Sequence, residues 1–594
     1  MSGKSRLALG LPFMVFSSLF LRSQNLPIPD DRRVPWGSLI QPDTTWASFP
    51  TLNVLDFGID NTGAQDVAPA VNNLIQSSAP AILFFPEGDY LLRSPIFLKS
   101  GIILRGEGNR RTRLHCDLTV PSSCIISQGA WIISDTSSLR LAPQFQDSFL
   151  VVQQSGLWNT GHWIKLTFED SSLVHDDWAQ HTVGQIFRIK KVENDTLFTE
   201  SPVRLTIPLS LRPFITKILP IEKTGINCLK IIRHDNTLPE QASNILFQKT
   251  VNAHITGVES EKCNFSHISL EECSDVVIAG NYFHEGFQYG GGGRAYGVVL
   301  QHTTQECLVE NNIFQKLRHG ILFQTGSNAN VIAFNFFTEP FWDEPGLPSD
   351  AAGEIVFHGN YPFLNLVEQN ILNNLYFDNS HGGNGPYNTI YRNQLNKYGL
   401  FFSSTNSPSQ NLMGNHITNT QLPYSLVNYT ILGGDHFIFG NNNKGTVDPA
   451  GTEQVPLISL GYEDHQHIPK EYWLKIGYPN TDPAVSNMAK DLFHFSDAVT
   501  LPCGGAVAVE PSYPGGPPSG LLFYPNPVKD VAFLFIAKDP SKIFLKEIFL
   551  YDIFGKILNT WKVTATSLRI NFSEIPPGIY FLKVGMHTLR IVKI

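Results

Sequence analysis

One short motif recurs from about residue 277 onward: a few mostly apolar residues followed by asparagine. It occurs as VIAGN, LVENN, VIAFN, LVEQN, TIYRN, NLMGN and FIFGN, ending at Asn281, Asn312, Asn335, Asn370, Asn393, Asn415 and Asn441. Successive asparagines are 31, 23, 35, 23, 22 and 26 residues apart, so the base period is 22 to 23 residues with occasional insertions. A fixed period of this length is typical of a solenoid, in which each repeat forms one coil.

Each repeat is too short for a pair of helices, and its apolar segments are brief and rich in β-branched residues. Strands and turns are therefore predicted, and the repeat favours an all-β chain built around a parallel β-helix. Neighbouring coils of such a helix lie about 4.8 Å apart. An asparagine at the same turn of every coil can hydrogen-bond to the coils above and below. The seven asparagines are thus predicted to be structural.

A second series of strands ends in a polar residue. The strands GVVLQ, GILFQ, EIVFH, NLYFD and GLFFS end at Gln301, Gln324, His358, Asp378 and Ser403. When their apolar triplets are aligned, the five polar residues share one column, and a slip of one residue would turn the column to the other face. Polar side chains that follow an apolar triplet are best placed outside the core, so the column is predicted to face solvent.

Two insertions interrupt the repeat beside this column. They are residues 283–296, which contain HEGFQYGGGGRAY, and residues 338–353, TEPFWDEPGLPSDAAG. Both fall between an asparagine turn and the next strand, so both are predicted to project from one edge of the polar face and to wall a groove. Loops on a rigid scaffold commonly carry function.

Catalytic residues are predicted in this groove. His358 and Asp378 lie on adjacent coils, so their Cβ atoms should be about 5 Å apart. A carboxylate at that distance holds an imidazole in one tautomer and prepares it for acid–base work near neutral pH. His381 follows in the polar turn SHGGNGP, and Arg318 and His319 are one coil away from His358. These five residues are the predicted catalytic set.

Substrate contacts are predicted from the column and from the two loops. The column supplies Gln301, Gln324 and Ser403, and the loops supply Arg294 and Trp342. Five acids on or beside the second loop are candidate ligands for Ca²⁺, a cation that prefers carboxylate oxygens. They are Glu339, Asp343, Glu344, Asp350 and Glu354.

Two reactions on polysaccharides fit these residues, and the sequence does not choose between them. A lyase needs a base, His358 or His381, and a cation beside the uronate carboxylate, which is Arg318, Arg294 or Ca²⁺. A glycoside hydrolase needs two carboxylates, for which Asp378 and one loop acid are the natural pair. The alternatives are a histidine–aspartate stack that serves structure alone, and a glycan-binding or adhesin-like solenoid on the cell surface that has no catalytic role.

The composition restricts the partners and the location. The net charge of −9 argues against nucleic acid, whose phosphates require clustered cations. Residues 1–23 have the basic start and short apolar stretch of a secretory signal peptide, and no later segment is long and apolar enough to span a membrane. An exported monomer is expected. The seven cysteines include no C-x-x-C pair, so a zinc site is not expected. Cys116 and Cys124 are close enough in sequence to form a disulfide, but they are predicted to be buried free thiols.

The segment from Asn53 to Asn109 contains VLDFG, FFPEGDYLL and SGIILRGEG. In these pieces it resembles the opening of the pectate-lyase-like superfamily of right-handed parallel β-helices, although DNTGAQDV replaces the acidic turn that is usual there. The resemblance supports an N-terminal cap and first coils in residues 24–153, and the 22- to 23-residue repeat predicts further coils in residues 221–500. That superfamily includes lyases, hydrolases, epimerases and proteins without catalysis, so the resemblance indicates fold rather than chemistry.

Three further segments differ in character from the repeat. Residues 154–220 alternate like a small antiparallel barrel or sandwich, and we expect an inserted domain near the N-terminal end. Residues 501–520 are rich in proline and glycine and are typical of a linker. Residues 521–594 contain YPNPVKD, LYDIFGKIL and IPPGIY, and resemble the β-sandwich sorting domain of the type IX secretion system of Bacteroidetes. This implies the type IX machinery as partner, and release or surface attachment after export.

Overall fold

The computed structural model describes most of the chain between residues 27 and 593. The described residues are 27–39, 45–237, 240–345, 348–418, 429–461, 468, 472–482, 484–495, 499–500, 521–524, 531–536, 547–552, 556–562, 567–584 and 587–593. The predicted signal peptide and the predicted linker lie outside these residues.

The main body is a right-handed parallel β-helix, as predicted, and each coil contributes strands to three faces. Face A ends at the asparagine turn. Its strands are Thr51–Asn53, Ala81–Phe85, Ile102–Gly106, Ile221–Glu222, Gly225–Asn227, Thr250–Thr256, Ser274–Ala279, Leu308–Glu310, Val331–Ala333, Leu366–Glu368, Thr389–Tyr391, Asn411–Met413 and Phe437–Phe439.

Face B follows the asparagine turn, and face C carries the polar column. The strands of face B are Thr62–Asp66, Gly88–Leu92, Thr112–Cys116, Lys230–Arg233, Glu259–Glu261, Tyr282–His284, Ile313–Gln315, Phe336–Thr338, His416–Ile417, Asn441–Asn443 and Thr446–Asp448. The strands of face C are Ile96–Leu98, Ile125–Gln128, Ile245–Gln248, Ser266–Glu271, Tyr296–Gln301, His319–Phe323, Ile355–Phe357 and Tyr429–Thr430. Two longer strands, Ile371–Phe377 and Gln394–Phe402, run from face B into face C.

Helices are few and short in the described residues. The α-helices are Trp36–Leu39, Ala68–Ser78 and Met488–Phe495, and the 3-10 helices are Asp30–Arg32, Thr45–Ser48, Val54–Phe57, Asp177–Ala179 and Leu209–Leu211. The helix Ala68–Ser78 buries its apolar side, Val71, Leu74 and Ile75, against the first coils. No helix of the described chain is long and apolar enough to cross a membrane.

The predicted asparagine corner is confirmed. Each side-chain amide donates to the side-chain oxygen of the asparagine one coil on, from Asn281 through to Asn441, at N···O distances of 2.9 to 3.1 Å. The same oxygen also accepts the backbone N–H of the preceding asparagine. Every rung is buried, so the ladder satisfies backbone groups that have no strand partner at the turn.

Replacing Asn370 with alanine is expected to lower the free energy of unfolding by about 1–3 kcal/mol, the cost of leaving buried polar groups without partners. The Asn370 amide donates to Ile332 O, Glu368 O and Asn393 Oδ1, and its oxygen accepts from Asn335. Urea denaturation of the purified variant measures the loss. Asn73→Ala, on the exposed side of a helix, is the control and should change stability by less than about 0.5 kcal/mol. Equal losses in the two variants would contradict a structural ladder.

A second ladder was not predicted from the sequence. In the turn before face A, the side-chain amides of Asn330, Asn365 and Asn388 each donate to the side-chain oxygen of the next residue of this ladder, at 2.9 to 3.0 Å. The last acceptor is Gln410 Oε1. Inside the coils, Phe323, Phe357, Phe377 and Phe402 stack with ring centres 4.3 to 4.7 Å apart. Stacked identical side chains bury well because each coil repeats the backbone of the last. The core is therefore continuous along the helix axis.

The inserted domain begins earlier than predicted. It is a six-stranded antiparallel sheet in the spatial order Phe149–Val151, Thr196–Thr199, Gln185–Glu193, Trp163–Thr167, Phe214–Leu219 and Ala130–Ser138. The insertion therefore starts at Ala130 rather than at residue 154, and residues 130–153 do not form coils. The sequence hides this boundary, because the strand Ala130–Ser138 begins with the short apolar run AWII, as a coil strand can.

The insertion also docks further along the helix than predicted. Gln305 exchanges two hydrogen bonds with the backbone of Ile186, at 2.7 and 2.8 Å. The buried Arg204 guanidinium donates to Asn328 Oδ1 at 2.6 Å and pairs with Glu306. These contacts place the insertion beside the middle coils, next to face C.

The coils end before residue 500. The last strands of the coils are Phe437–Phe439 and Asn441–Asn443, and the latter pairs antiparallel with Thr446–Asp448. The described part of residues 449–500 then packs back over the coils: Ser459, Leu460 and Gly461 donate to Glu368, and the helix Met488–Phe495 covers Ile313 and Phe336. The prediction of coils up to residue 500 is wrong for this segment, which is a covering layer.

The remaining described strands belong to the C-terminal domain. A three-stranded antiparallel sheet contains Leu521–Tyr524, Val531–Ile536 and Ser567–Asn571, and a four-stranded one contains Glu547–Tyr551, Ile557–Lys562, Gly578–Val584 and His587–Lys593. They enclose a small apolar core of their own. In the coils, Cys116 and Cys124 are free and buried, as predicted, and Cys228 is disulfide-bonded.

Candidate functional site

The predicted polar column is present on face C, but the prediction that it faces solvent holds fully only for Ser403. Gln301 and Gln324 are buried, and His358 and Asp378 are half-buried. The strand register pairs Leu300 with Phe323, Phe323 with Phe357, Phe357 with Phe377 and Phe377 with Phe402. The residues that follow these positions, Gln301, Gln324, His358, Asp378 and Ser403, are therefore stacked one coil apart. Because the phenylalanines point into the core, the residue after each of them points outward.

His358 and Asp378 form a hydrogen-bonded pair. His358 Nδ1 lies 2.6 Å from Asp378 Oδ2, and the other carboxylate oxygen accepts the backbone N–H of Ser380 at 3.0 Å. Burial opposes ionisation of Asp378, but the hydrogen bond and the charge of His358 outweigh it and hold the pKa of the carboxyl below its ordinary value. An ionised carboxylate only accepts hydrogen bonds, so Nδ1 of His358 donates to it and Nε2 is the nitrogen that can take up or release a proton.

The polar turn after Asp378 is closed by its own hydrogen bonds. Asn384 donates to Asp378 O at 3.0 Å and to Ser407 Oγ at 2.8 Å, and accepts the N–H of Gly359 at 2.9 Å. Gly359 has a φ of +83°, and a Cβ on it would meet His381 O at 2.3 Å. The close approach of the two backbones therefore needs glycine at this position. The residues inserted into the repeat after Asp378 thus form a hydrogen-bonded turn that carries His381.

A second histidine–aspartate pair uses a residue of the insertion. His381 Nδ1 lies 2.7 Å from Asp176 Oδ2, and the same oxygen accepts from Asn360 Nδ2 at 2.9 Å. Asn360 Oδ1 in turn accepts the backbone N–H of His175 at 2.8 Å. Burial opposes ionisation of Asp176, but the hydrogen bonds from Asn360 and His381 outweigh it and lower the pKa of this carboxyl. Asp176 was not among the residues predicted from the sequence.

The two pairs face each other. The His358 and His381 rings are 4.9 Å apart in an edge-to-face arrangement, and Trp178 contacts His381 edge-on at 5.6 Å. Nε2 of His358 and Nε2 of His381 accept no hydrogen bond from the described residues. Two imidazoles, each oriented by its own carboxylate, thus present a free nitrogen to the same part of the groove.

His319, in contrast to His358 and His381, is buried. Its ring is buried 6.0 Å from the His358 ring, and Nδ1 bonds to Gly353 O at 2.7 Å. Burial first, and then the charges of Arg318 and His358, lower the pKa of His319 to about 3. The prediction of a catalytic His319 is therefore wrong: the second loop folds back over it, and a neutral buried imidazole supports the loop.

Arg318 lies beside the pair without contacting it. Its Nη1 donates to Gly290 O at 2.8 Å, and its guanidinium lies 5.9 Å from the centre of the Tyr296 ring. Its Nε is buried and has no partner among the described residues. Arg318 is thus a cation at the loop side of the groove with donors still unused.

Gln301, Gln324 and Ser403 extend the column on both sides of the histidine–aspartate pair. Gln324 Nε2 donates to Gln301 Oε1, and Gln301 Nε2 donates to Glu271 Oε1 at 3.0 Å. Ser403 is exposed, and its hydroxyl donates to Asn379 Oδ1 at 2.9 Å. The polar column is therefore continuous across the middle coils.

The two loops contact one another over face C. Tyr289 and Phe341 meet edge-on at 4.9 Å. Arg294 Nη1 donates to Gln288 Oε1 at 2.6 Å, and Trp342 Nε1 donates to Pro348 O at 2.7 Å. Arg294 and Trp342 therefore bond within their own loops. The opposite wall of the groove is the insertion, whose position there was not predicted from the sequence.

The loop acids are not gathered into a calcium site. Asp350 pairs with Lys397 and accepts from Tyr398 at 2.8 Å, and Glu339 accepts from Gln315 at 3.0 Å. Glu354 is buried and accepts from Asn373 and Asn374; burial first, against these bonds, raises its pKa to about 7. Asp343 and Glu344 lie beside Gly290 and Gly291 of the first loop. The prediction of a common metal site is wrong because each acid already has a different environment.

One other group of ligand-type side chains occurs in the described chain. Carboxylate and imidazole atoms of Glu259, Glu261 and His284, on face B, lie within 4.8 Å of one another. The Lys230 ammonium bonds to both carboxylates, at 2.8 and 2.7 Å. A lysine therefore already bonds to both acids, and the group is outside the groove.

Three family models match parts of the chain. Residues 51–151 match "Rhamnogalacturonase A/epimerase, pectate lyase-like", residues 225–340 match "Periplasmic copper-binding protein (NosD)", and residues 522–594 match "Secretion system C-terminal sorting domain". The chain thus carries pectate-lyase-like and NosD-like β-helix sequence and a sorting domain, which directs it through type IX secretion to the cell surface or the outside of the cell. No curated protein matches the chain.

Solved structures similar to this chain are also β-helix proteins. The tailspike gp61 of Pseudomonas phage phi297 is 13% identical, with a TM-score of 0.45 over 68% of this chain and 81% of the tailspike. The surface adhesin PfbA of Streptococcus pneumoniae is 12% identical, with a TM-score of 0.32 over 62% and 91%. The family 28 exopolygalacturonase of Yersinia enterocolitica is 12% identical, with a TM-score of 0.30 over 66% and 78%. At these identities the similarity is one of fold alone.

Proposed function

We propose that this protein is an exported polysaccharide lyase that cleaves a uronate-containing glycan in the groove of face C. One observation carries the proposal: His358 and His381 lie side by side, each held by a carboxylate, with a free Nε2 on each ring. A base and an acid that act on neighbouring atoms of one sugar need such closeness.

The carboxylates themselves are already engaged, which disfavours hydrolysis. Both oxygens of Asp378 accept hydrogen bonds, one from His358 and one from Ser380. Asp176 accepts from His381 and Asn360. A two-carboxylate hydrolase needs one group as proton donor and the other as nucleophile or base. Here the two aspartates are better suited to orienting the imidazoles, so the groups that reach the substrate are histidines.

The proposed reaction is a β-elimination. One imidazole takes the proton next to the uronate carboxylate, the electron pair forms the carbon–carbon double bond, and the bond to the glycosidic oxygen breaks. The second imidazole, in its protonated form, gives a proton to the departing oxygen. The negative charge that develops on the carboxylate requires a cation. We assign this role to Arg318, whose Nη1 is held by Gly290 O and whose Nη2 makes no hydrogen bond to the described residues.

A panel of uronate-containing and neutral polysaccharides tests the proposal. The full-length purified protein is incubated with each, and absorbance at about 235 nm, which detects unsaturated products, is followed alongside reducing ends. We expect both signals to rise together on at least one uronate polymer. Reducing ends without absorbance would replace the lyase by a hydrolase. Binding of a polymer without either signal would favour the glycan-binding solenoid instead.

A further inference from the structure

We infer that Trp178 and His302 form a second saccharide subsite, beside the two histidine–aspartate pairs and towards the N-terminal coils. This inference rests on the proposed function and adds an extended oligosaccharide, rather than a single sugar, as the unit that the groove recognises. The subsite joins one residue of the insertion to one residue of the coils.

Trp178 is the first element of the subsite. It lies in the 3-10 turn Asp177–Ala179, next to Asp176, and half of its side chain (50%) is exposed. A large apolar ring at the wall of a polar groove loses the stabilisation that burial would bring. The C–H face of a sugar ring covers an indole well, while the sugar hydroxyls stay available to polar neighbours. An exposed indole at this place is therefore suited to hold a sugar ring.

His302 is the second element. The Trp178 ring is 6.1 Å from the His302 ring and 5.6 Å from the His381 ring, nearly perpendicular to both. His302 follows the column residue Gln301, which lies three coils from Asp378. Trp178 contacts both His302 and His381 and thus connects the two sites. No described side chain hydrogen-bonds to the His302 imidazole. Burial first lowers its pKa, so the neutral ring offers one donor and one acceptor to hydroxyl groups.

The glutamines supply the floor between the two sites. Because Glu271 accepts from Gln301 and Gln301 accepts from Gln324, the orientation of both amides is set. This chain of bonds leaves Gln324 Oε1 without a donor among the described residues, next to His358 in the column. The floor thus presents an acceptor to a sugar hydroxyl, and a glycan lying along the helix axis meets His381, Gln324 and His302 in turn.

The test compares how tightly the protein binds oligosaccharides of two lengths. The full-length variant His358→Ala, in which cleavage is expected to be about 100-fold slower or more, is titrated with disaccharides and pentasaccharides built from galacturonate, glucuronate, mannuronate or guluronate. The heat of binding is recorded with and without Trp178→Ala. We expect Trp178→Ala to weaken pentasaccharide binding by about tenfold or more, the scale of a lost aromatic contact. Disaccharide binding, confined to the histidine pairs, should change less than about twofold. Trp178→Phe should restore most of the affinity.

Phe57→Ala is the matched control, because Phe57 is equally exposed (52%) but lies outside the groove at the first coils. It should leave binding of both lengths unchanged. If the pentasaccharide bound as tightly after Trp178→Ala as before it, the subsite would be overturned. The proposed lyase activity would not be affected by that result. If the protein with Trp178 intact bound none of these oligosaccharides and cleaved no polymer of the panel, the proposed function would fall, and the subsite with it.

Discussion

Replacing His358 with alanine is expected to lower the rate of unsaturated-product formation by about 100-fold or more, the usual scale for a proton-transfer group. His381→Ala should have an effect of similar size, because the two imidazoles are proposed to act on the same sugar. The initial rate of absorbance at about 235 nm measures both. Stability should change little, since both rings lie in the groove and not in the core.

The aspartates act through the histidines and are expected to behave differently. Asp378→Asn and Asp176→Asn keep the shape but offer the imidazole a neutral partner, so the carboxylate no longer favours the tautomer with a free Nε2. Rates should fall by about tenfold to 100-fold, with a changed pH profile and unchanged KM. If the histidine–aspartate pairs served structure alone, both the rate of product formation and its pH profile would be unchanged in these variants.

A third histidine–aspartate pair provides the control. On face B, His115 Nε2 lies 2.6 Å from Asp89 Oδ1, a contact like that of His358 but far from the groove in the strand order. His115→Ala therefore removes a similar pair and should leave product formation at the level of the unchanged protein. A fall as large as that caused by His358→Ala would show that the losses report folding and not chemistry.

Deleting residues 521–594 is expected to abolish export while the β-helix stays folded. The sorting domain is read by the secretion machinery, and its described strands form sheets and a core of their own. The truncated protein should accumulate in the periplasm, with almost none at the cell surface or in the medium. Immunoblots of cell fractions, with a periplasmic marker, measure the distribution.

The thermal midpoint of the main transition serves as the control for this deletion. It should be the same with and without residues 521–594, because domains with separate cores unfold independently. Truncated protein that reached the medium as efficiently as the full chain would contradict the role of the sorting domain. A lower midpoint would show that retention reflects misfolding.

Features that repeat with the coil were accessible from the sequence. The asparagine ladder and the column through His358 and Asp378 depend on register alone, and in a parallel stack the register is set by the apolar residues that must point inward. A period of 22 to 23 residues translates directly into neighbours one coil apart. The second ladder, through Asn330 and Asn365, carried the same kind of signal and was overlooked.

The loops were located correctly, but their contacts were not foreseen. His319 was predicted to be catalytic, yet the second loop buries it; Asp350 and Glu354 were predicted to bind a metal, yet Lys397 and Asn373 already engage them. Irregular segments have no period, so the partner of each side chain depends on how the loop packs. Charge and residue type alone do not reveal that packing.

The position of the insertion was the feature least accessible to prediction from the sequence. Asp176 and His381 are 205 residues apart, and Asp176 belongs to a domain that the sequence separates from the coils. Nothing in the stretch HDDW, residues 175–178, distinguishes it from a solvated polar loop. Gln305, Arg204 and Asn360 hold the insertion against the coils, and this docking brings Asp176 and Trp178 to the groove. The sequence by itself determined the coils and their polar column, because both follow from a local repeat. Only the tertiary structure decided the second histidine–aspartate pair, because it depends on the packing of two surfaces that share no periodic signal.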